Sequence, residues 1–189
     1  MEGAPTADAP ASRLNTLVAV TVALLATFMG ICKVKDDNIV QAMQQAQADK
    51  IDHWSFYQAR NIRQEIAQAQ VDQLQLAASQ SSAAQTRTAP VLARYQALVN
   101  DQRAKKDSLR AQAEADQKQY DSLNYRDDQF DLADALLAIA ISLLAITSLT
   151  QRRWLFYVAL VATALGVVMG VAGLAGLPIH PDVVARLLS

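Results

Sequence analysis

LNTLVAVTVALLATFMGIC, residues 14–32, is an apolar run without a charged side chain. At the α-helical rise its nineteen residues span about 28 Å, close to the hydrocarbon thickness of a bilayer. The run is longer than the apolar region of a typical secretory signal, and no small-residue cleavage site follows it. We therefore interpret it as an uncleaved signal anchor behind a short disordered segment, residues 1–13, with a cleaved signal as the alternative.

Two further apolar runs lie near the other end of the chain. They are LADALLAIAISLLAITSL at 132–149 and WLFYVALVATALGVVMGVAGLAGL at 154–177, followed by a tail at 178–189. Trp154 and Tyr157 are amphipathic aromatic residues of the kind that lie at the headgroup level. The sequence therefore predicts three transmembrane helices in an all-α membrane protein.

The charges beside these runs bear on orientation. The link at 150–153 contains Arg152 and Arg153, and the positive-inside rule places such a short basic loop in the cytoplasm. Two lysines, Lys33 and Lys35, follow the first span and only Arg13 precedes it, which argues for the opposite orientation. We expect a multi-pass protein of the bacterial inner membrane, with a cytoplasmic N-terminus and a periplasmic middle region.

The middle region, residues 33–131, is polar and contains no glycine. It is rich in Ala, Gln, Lys and Arg, which are strong helix formers. Serine, threonine and proline cluster between Ser79 and Pro90, where we expect a turn. The sequence thus predicts helices over 36–80 and 91–131, about 65 and 60 Å long.

The second of these helices carries a heptad pattern typical of a coiled-coil seam. Its positions are Leu92, Tyr95, Val99, Gln102, Lys106, Leu109, Ala113, Asp116, Tyr120 and Leu123. The first helix has a broader apolar stripe, consisting of Val40, Met43, Ile51, Trp54, Tyr57, Ile62, Ile66 and Leu74. We predict a long antiparallel hairpin of coiled-coil type between the first and second membrane spans.

Composition and motifs speak against several classes of function. The net charge is −1, so nothing indicates the concentrated basic face that nucleic acid requires. The chain has one cysteine, Cys32, and two histidines, and it contains no phosphate loop, nucleophile elbow or zinc-protease motif. We expect no enzymatic activity, no cofactor and no metal.

The candidate functional residues lie in the hairpin. The segment from His53 to Arg60 includes Trp54 and Tyr57, and we expect these residues, with Tyr95 and Tyr120, to form an interaction surface. A ligand or proton site around His53, Tyr57 and Arg60 is the alternative. Acidic pairs at the feet of the hairpin, Asp36–Asp37 and Asp127–Asp128, are expected to be solvated charges, with a divalent-cation site as the alternative.

Within the spans, small residues and one acid stand out. Gly166, Gly170 and Gly173 recur at a spacing that lets helices approach closely, either within this chain or between two copies. Ala19, Ala23, Ala26 and Gly30 form a similar face on the first span. Asp134 lies one turn inside the second span, where we expect it to reach water rather than to mark an ion path.

Two segments resemble a known family. DHWSFYQARNIRQEI at 52–66 and TQRRWLFYVAL at 150–160 are similar to the bacterial membrane proteins grouped as domain of unknown function 4337. The resemblance implies one N-terminal span, a helical middle and a C-terminal pair of spans, and the family has no assigned activity. We expect a non-enzymatic scaffold or accessory subunit that assembles through its hairpin with copies of itself or with another membrane or periplasmic protein. A periplasmic adaptor of a transport or secretion assembly and a small transporter or channel subunit are the alternatives.

Overall fold

The computed structural model describes residues 11–179, which form three α-helices. They are α1 (Ala11–Ala78), α2 (Ser82–Thr150) and α3 (Arg153–Ala175). No strand occurs between residues 11 and 179, so the predicted all-α class is confirmed. Each helix contains a stretch long and apolar enough to cross a membrane by length and composition.

The turn between α1 and α2 is shorter than the sequence predicted. The expected break from Ser79 to Pro90 is wrong at its far end, because α2 begins at Ser82 and contains Pro90. The Ser81 hydroxyl accepts a hydrogen bond from the backbone N–H of Ala84 at 3.1 Å, which is the geometry of a helix N-cap. Pro90 lies eight residues after Ser82, inside the helix, where it lacks a backbone donor and its ring crowds the carbonyl four residues earlier.

The ends of the other helices also differ slightly from the predicted boundaries. Helix α1 begins at Ala11, so the end of the segment predicted to be disordered is helical, and residues 1–10 lie outside the described part. Gln151 has a left-handed backbone with φ 56°, which separates α2 from α3. Helix α3 ends at a left-handed Gly176 (φ 66°), whose N–H bonds to the Ala172 carbonyl. Of the predicted tail, 180–189 is likewise not described.

The chain divides into two compact units, and α1 and α2 contribute to both. The first unit comprises the described residues up to Ala42 and from Ser122 onward. On α1 its buried apolar positions recur every seven residues, at Val18, Leu25, Cys32 and Ile39. On α2, Phe130, Leu137 and Leu144 repeat the same interval. This spacing keeps one seam of each helix on the core of the unit.

The second unit, Met43–Asp121, has a narrower core. All ten predicted seam positions of α2, of which the last, Leu123, belongs to the first unit, are buried or half-buried, which agrees with the heptad pattern. The predicted stripe of α1 is partly wrong, since Trp54 and the three isoleucines Ile51, Ile62 and Ile66 are exposed. Ala46, Ala67 and Val71 are the buried α1 residues in their place. Small alanines leave little room between the helices for the larger isoleucines.

Candidate functional site

The predicted aromatic cluster of α1 lies beside a lysine of α2. The rings of Trp54 and Tyr57 form an edge-to-face pair with centroids 5.3 Å apart. Lys106 Nζ lies 5.9 Å from the centre of the Tyr57 ring and donates a hydrogen bond to Asn61 Oδ1 at 3.1 Å. The lysine at a predicted seam position is therefore held by a cation–π contact and by an amide.

The other polar seam residues of α2 are paired with α1 in the same way. His53 Nδ1 lies 2.6 Å from Asp116 Oδ2. Arg60 Nη1 donates to Gln102 Oε1 at 3.1 Å, and Gln102 is buried. A buried polar group left without a partner costs about 1–3 kcal/mol, so these bonds favour one register of the two helices.

The cluster contains some of the predicted interaction residues and not others. His53, Trp54, Tyr57 and Arg60 of α1 contact one another or α2, as described above. Tyr95 and Tyr120 are half-buried seam residues elsewhere along α2. The chemistry of the cluster is that of helix pairing, because its charged and amide groups bond to one another across the seam.

A second group of charges lies in the first unit, around the buried carboxylate of Asp36. Lys33 Nζ is 2.9 Å from Asp36 Oδ2 and 3.5 Å from Asp37 Oδ1. The hydrogen bond to Asp36 and its negative charge raise the pKa of Lys33. Asp36 Oδ1 is buried and has no hydrogen-bond partner among the residues that the structure describes.

Asp127 of α2 faces this carboxylate. Burial, a hydrogen bond with Asp36 and repulsion from Asp131 raise the pKa of Asp127 to about 6. Burial and the charge of Asp36 also raise the pKa of Asp131. A hydrogen bond between two carboxyl groups requires a proton on one of them. The structure thus brings together one member of each acidic pair.

This arrangement does not have the ligand set of a metal site. Over residues 11–179, no three His, Cys, Asp or Glu side chains are grouped so that they could hold a metal ion. Asp134, the acid predicted inside the second span, is exposed on α2.

The glycines of α3 are contacted by side chains of α1 and α2. A Cβ built on Gly166 would lie 2.9 Å from Leu137 Cγ, and one on Gly173 would lie 2.9 Å from the Phe130 ring. A Cβ on Gly170 would lie 2.8 Å from the Phe28 ring. Contacts within the chain therefore occupy the face of the Gly166–Gly170 motif.

The small residues of the first span, unlike the glycines of α3, are not covered by the neighbouring helices that the structure describes. Ala19, Ala23, Ala26 and Gly30 are exposed on α1, and a Cβ added to Gly30 would meet nothing within 4 Å. The close approach predicted for this face does not occur among residues 11–179. The face of α1 that packs into the core of the unit is instead the one that carries Val18 and Leu25.

Arg126 and Gln129 hold the C-terminal end of α3, which the sequence did not predict. Arg126 Nη2 donates to the Gly173 carbonyl at 2.9 Å. Gln129 Nε2 donates to the carbonyls of Leu177 and Ile179 at 2.8 and 2.7 Å. The last carbonyls of a helix have no partner within it, and a cation there also interacts favourably with the helix dipole. The only sequence signal was an Arg and a Gln at helical spacing just before the second span.

The link between α2 and α3 lies next to the start of α1. Gln151 Nε2 and Ser148 Oγ donate hydrogen bonds to Asn15 Oδ1 at 2.7 and 3.2 Å. Arg152 is the extended N-cap residue of α3, and Arg153 is its first residue. A cavity of about 290 Å³ opens beside the link. Its lining residues are Arg13, Leu14, Leu17, Arg153, Phe156 and Tyr157.

These features define a class: an all-helical protein with three helices that are long and apolar enough to span a membrane. Residues 14–176 match the family described as Domain of unknown function (DUF4337), and the chain belongs to that family. The predicted resemblance is thereby confirmed. No curated protein and no solved structure matches the chain.

Proposed function

We propose that this chain is a multi-pass membrane protein without enzymatic activity, a scaffold or accessory subunit that assembles with copies of itself. The assembling part is an antiparallel hairpin formed by α1 and α2 in the second unit. Support for the hairpin comes from the bonds between the helices. Lys50 bonds to Gln117 and Asn61 bonds to Lys106, so the α2 number falls as the α1 number rises.

One observation carries the proposal of assembly: an exposed row on α1 that has no charge. Its members follow one another every three or four residues, so they share one face of the helix. They are Gln44, Ala48, Ile51, Ser55, Gln58, Ile62, Ile66, Ala69, Gln73 and Leu76, and all ten are exposed. We call these ten residues the outer row. It lies opposite the face of α1 that carries buried Ala46, Ala67 and Val71.

The outer row is apolar enough to favour association. Ile51, Ile62, Ile66 and Leu76 are 54%, 59%, 61% and 70% exposed. Full burial of such a side chain contributes about 1.5–3 kcal/mol, so covering the exposed fractions of these four side chains on two copies contributes roughly 7–15 kcal/mol. Association costs an estimated 4–15 kcal/mol in solution, and confinement to one membrane lowers that cost by raising the effective concentration. The balance favours a dimer in the bilayer.

The charges beside the outer row favour a second copy as the partner. Arg63 and Glu65 are exposed and lie on opposite borders of the row. Two copies in one membrane have parallel α1 helices. A parallel two-fold pair brings Arg63 of each copy towards Glu65 of the other, and Ile62 against Ile62. Opposite charges beside an apolar seam are a known determinant of parallel pairing between helices.

Cysteine crosslinking tests this assembly. In a Cys32→Ala background, Ile51→Cys and Ile62→Cys are placed on the outer row, and Gln68→Cys is the matched exposed control on another face of α1. Membranes are treated with a short thiol crosslinker. We expect covalent dimers from positions 51 and 62 and little from position 68.

A second set of variants tests the contribution of the row to assembly. Ile62→Glu is expected to reduce the dimer in gentle detergent, and Gln68→Glu is expected to leave it unchanged, because only the first places a charge in the seam. A chain that is monomeric and without a partner in native membranes would refute the proposal. A different protein crosslinked at position 62 would refute self-assembly and retain an accessory role for the hairpin.

A further inference from the structure

Positive charge collects where the first turns of α1 and α3 lie close together. Arg13 and Arg153 line the cavity of about 290 Å³ described above, one from each helix. Neither first turn contains an acidic residue, and Arg152 makes no side-chain capping bond at the start of α3. Within residues 13–179, no carboxylate forms an ion pair with Arg13 or Arg153. Among the described residues, therefore, no acidic group competes with an anion for the two guanidinium groups.

The remaining walls of the cavity are formed by apolar and aromatic side chains. Leu14 and Leu17 come from the start of the first apolar run, and Phe156 and Tyr157 from the start of the third. The Tyr157 side chain is exposed, as is that of neighbouring Trp154. Aromatic side chains of this kind concentrate at the level of lipid headgroups. A ligand that fits both walls has an anionic group joined to an apolar body.

The two arginines indicate which anionic group the ligand carries. A guanidinium group presents paired N–H donors that match the oxygens of a phosphate, and it is less strongly hydrated than an ammonium group. Basic pockets between membrane helices are suited to anionic lipid headgroups. Ligand pockets have volumes from about 300 Å³ upward, so this cavity is at the small end of the range. Its size suits a lipid headgroup rather than a whole lipid.

We propose that the cavity between the first turns of α1 and α3 binds the phosphate group of an anionic membrane lipid. Arg13 and Arg153 hold the phosphate, and Leu14, Leu17 and Phe156 contact the adjoining glycerol and acyl region. This inference rests on the proposed membrane insertion and is independent of assembly through the outer row. It also ties the start of α1 to α3 through a bound lipid.

Lipid titration of the purified full-length chain tests the site. The delipidated protein in mild detergent is titrated with phosphatidylglycerol, with phosphatidylcholine or with inorganic phosphate, and bound lipid is counted by native mass spectrometry. We expect one tight phosphatidylglycerol, weak binding of phosphatidylcholine, and no displacement of the bound lipid by millimolar phosphate. Displacement by free phosphate at that concentration would overturn the assignment to a lipid.

Arg152 offers a matched control, because it lies next to Arg153 in the chain and does not line the cavity. Arg13→Gln and Arg153→Gln are each expected to weaken phosphatidylglycerol binding about tenfold, the effect of losing one charge-assisted hydrogen bond. Arg152→Gln removes the same charge and is expected to weaken binding less than twofold. An equal loss of phosphatidylglycerol affinity in the Arg152→Gln and Arg153→Gln variants would overturn the site, because it would indicate a general attraction between basic residues and anionic lipid.

Two further measurements separate this inference from the proposed function. Each variant is recovered from the membrane fraction after alkaline extraction and is tested for crosslinking through Ile62→Cys. Variants that stay in the membrane and still crosslink, while binding lipid like the unaltered chain, would overturn the lipid site alone. A chain that alkali extracts from the membrane would overturn both proposals.

Discussion

Replacing Asp127 by asparagine is expected to stabilise the first unit at neutral pH and to reduce the dependence of its stability on pH. The pKa of Asp127 is raised from 3.8 to about 6, chiefly by burial and by the hydrogen bond with Asp36. The folded chain therefore holds a proton on Asp127 more tightly than the unfolded chain does. The contribution to stability is present in full below about pH 4, falls as pH rises towards 6, and is lost above that.

The size of the effect follows from the pKa difference. A difference of about 2 units corresponds to about 3 kcal/mol for a fully buried group. Asp127 is only half-buried, so water screens its interactions, and we expect about 1 kcal/mol. Asparagine is neutral at every pH, and its amide is able to donate to Asp36 Oδ1, which has no partner among the described residues. In a chain of this size 1 kcal/mol corresponds to a shift of about 2–4 °C in Tm.

Thermal unfolding in mild detergent, followed by circular dichroism, measures the effect at pH 4, 5, 6 and 8. The matched control is Asp37→Asn, which removes the same charge from an exposed residue of the same cluster. We expect Asp127→Asn to raise Tm at pH 8 and to leave it unchanged at pH 4. The reasoning fails if the unaltered chain is as stable at pH 8 as at pH 4 and Asp127→Asn is no more stable than the control.

Two further predictions concern the contacts of α3. Gly166→Ala places a Cβ 2.9 Å from Leu137 Cγ and 3.2 Å from Leu136 Cβ, so we expect a loss of about 1–3 kcal/mol. Gly30→Ala enters open space and is expected to stabilise α1 by up to about 1 kcal/mol; equal Tm changes for the two variants would contradict this reasoning. Gln129→Leu removes the donor to the Leu177 and Ile179 carbonyls, and is expected to speed proteolysis after Gly176. Gln75→Leu, an exposed control on α1, is expected to leave that cleavage rate unchanged.

Features that depend on neighbouring residues in the chain were predictable. Helix propensity and the three apolar runs led to the all-α class, because both are properties of short windows of sequence. The heptad positions of α2 were also predicted, since a period of 3.5 residues selects one face of a helix wherever its partner lies. The turn was placed too broadly, because Ser81 caps α2 and the helix continues through Pro90.

The face of α1 that meets α2 was not predictable from hydrophobicity. Ile51, Ile62 and Ile66 are apolar and exposed, while polar His53 and Arg60 pair with α2. A stripe of apolar residues indicates a surface to be covered and does not indicate which partner covers it. In this chain buried alanines and polar pairs face α2, and the larger residues of the outer row remain open.

By itself the sequence determined the helices, their approximate limits, the family and the seam of α2, because these follow from local spacing and composition. Only the tertiary structure decided which distant residues meet. Arg126 and Gly173 are 47 positions apart, and Asp36 and Asp127 lie on different helices. The cavity of Arg13 and Arg153 likewise combines the first turns of α1 and α3. Such contacts depend on how helices pack and rotate against one another, which no single stretch of the sequence encodes.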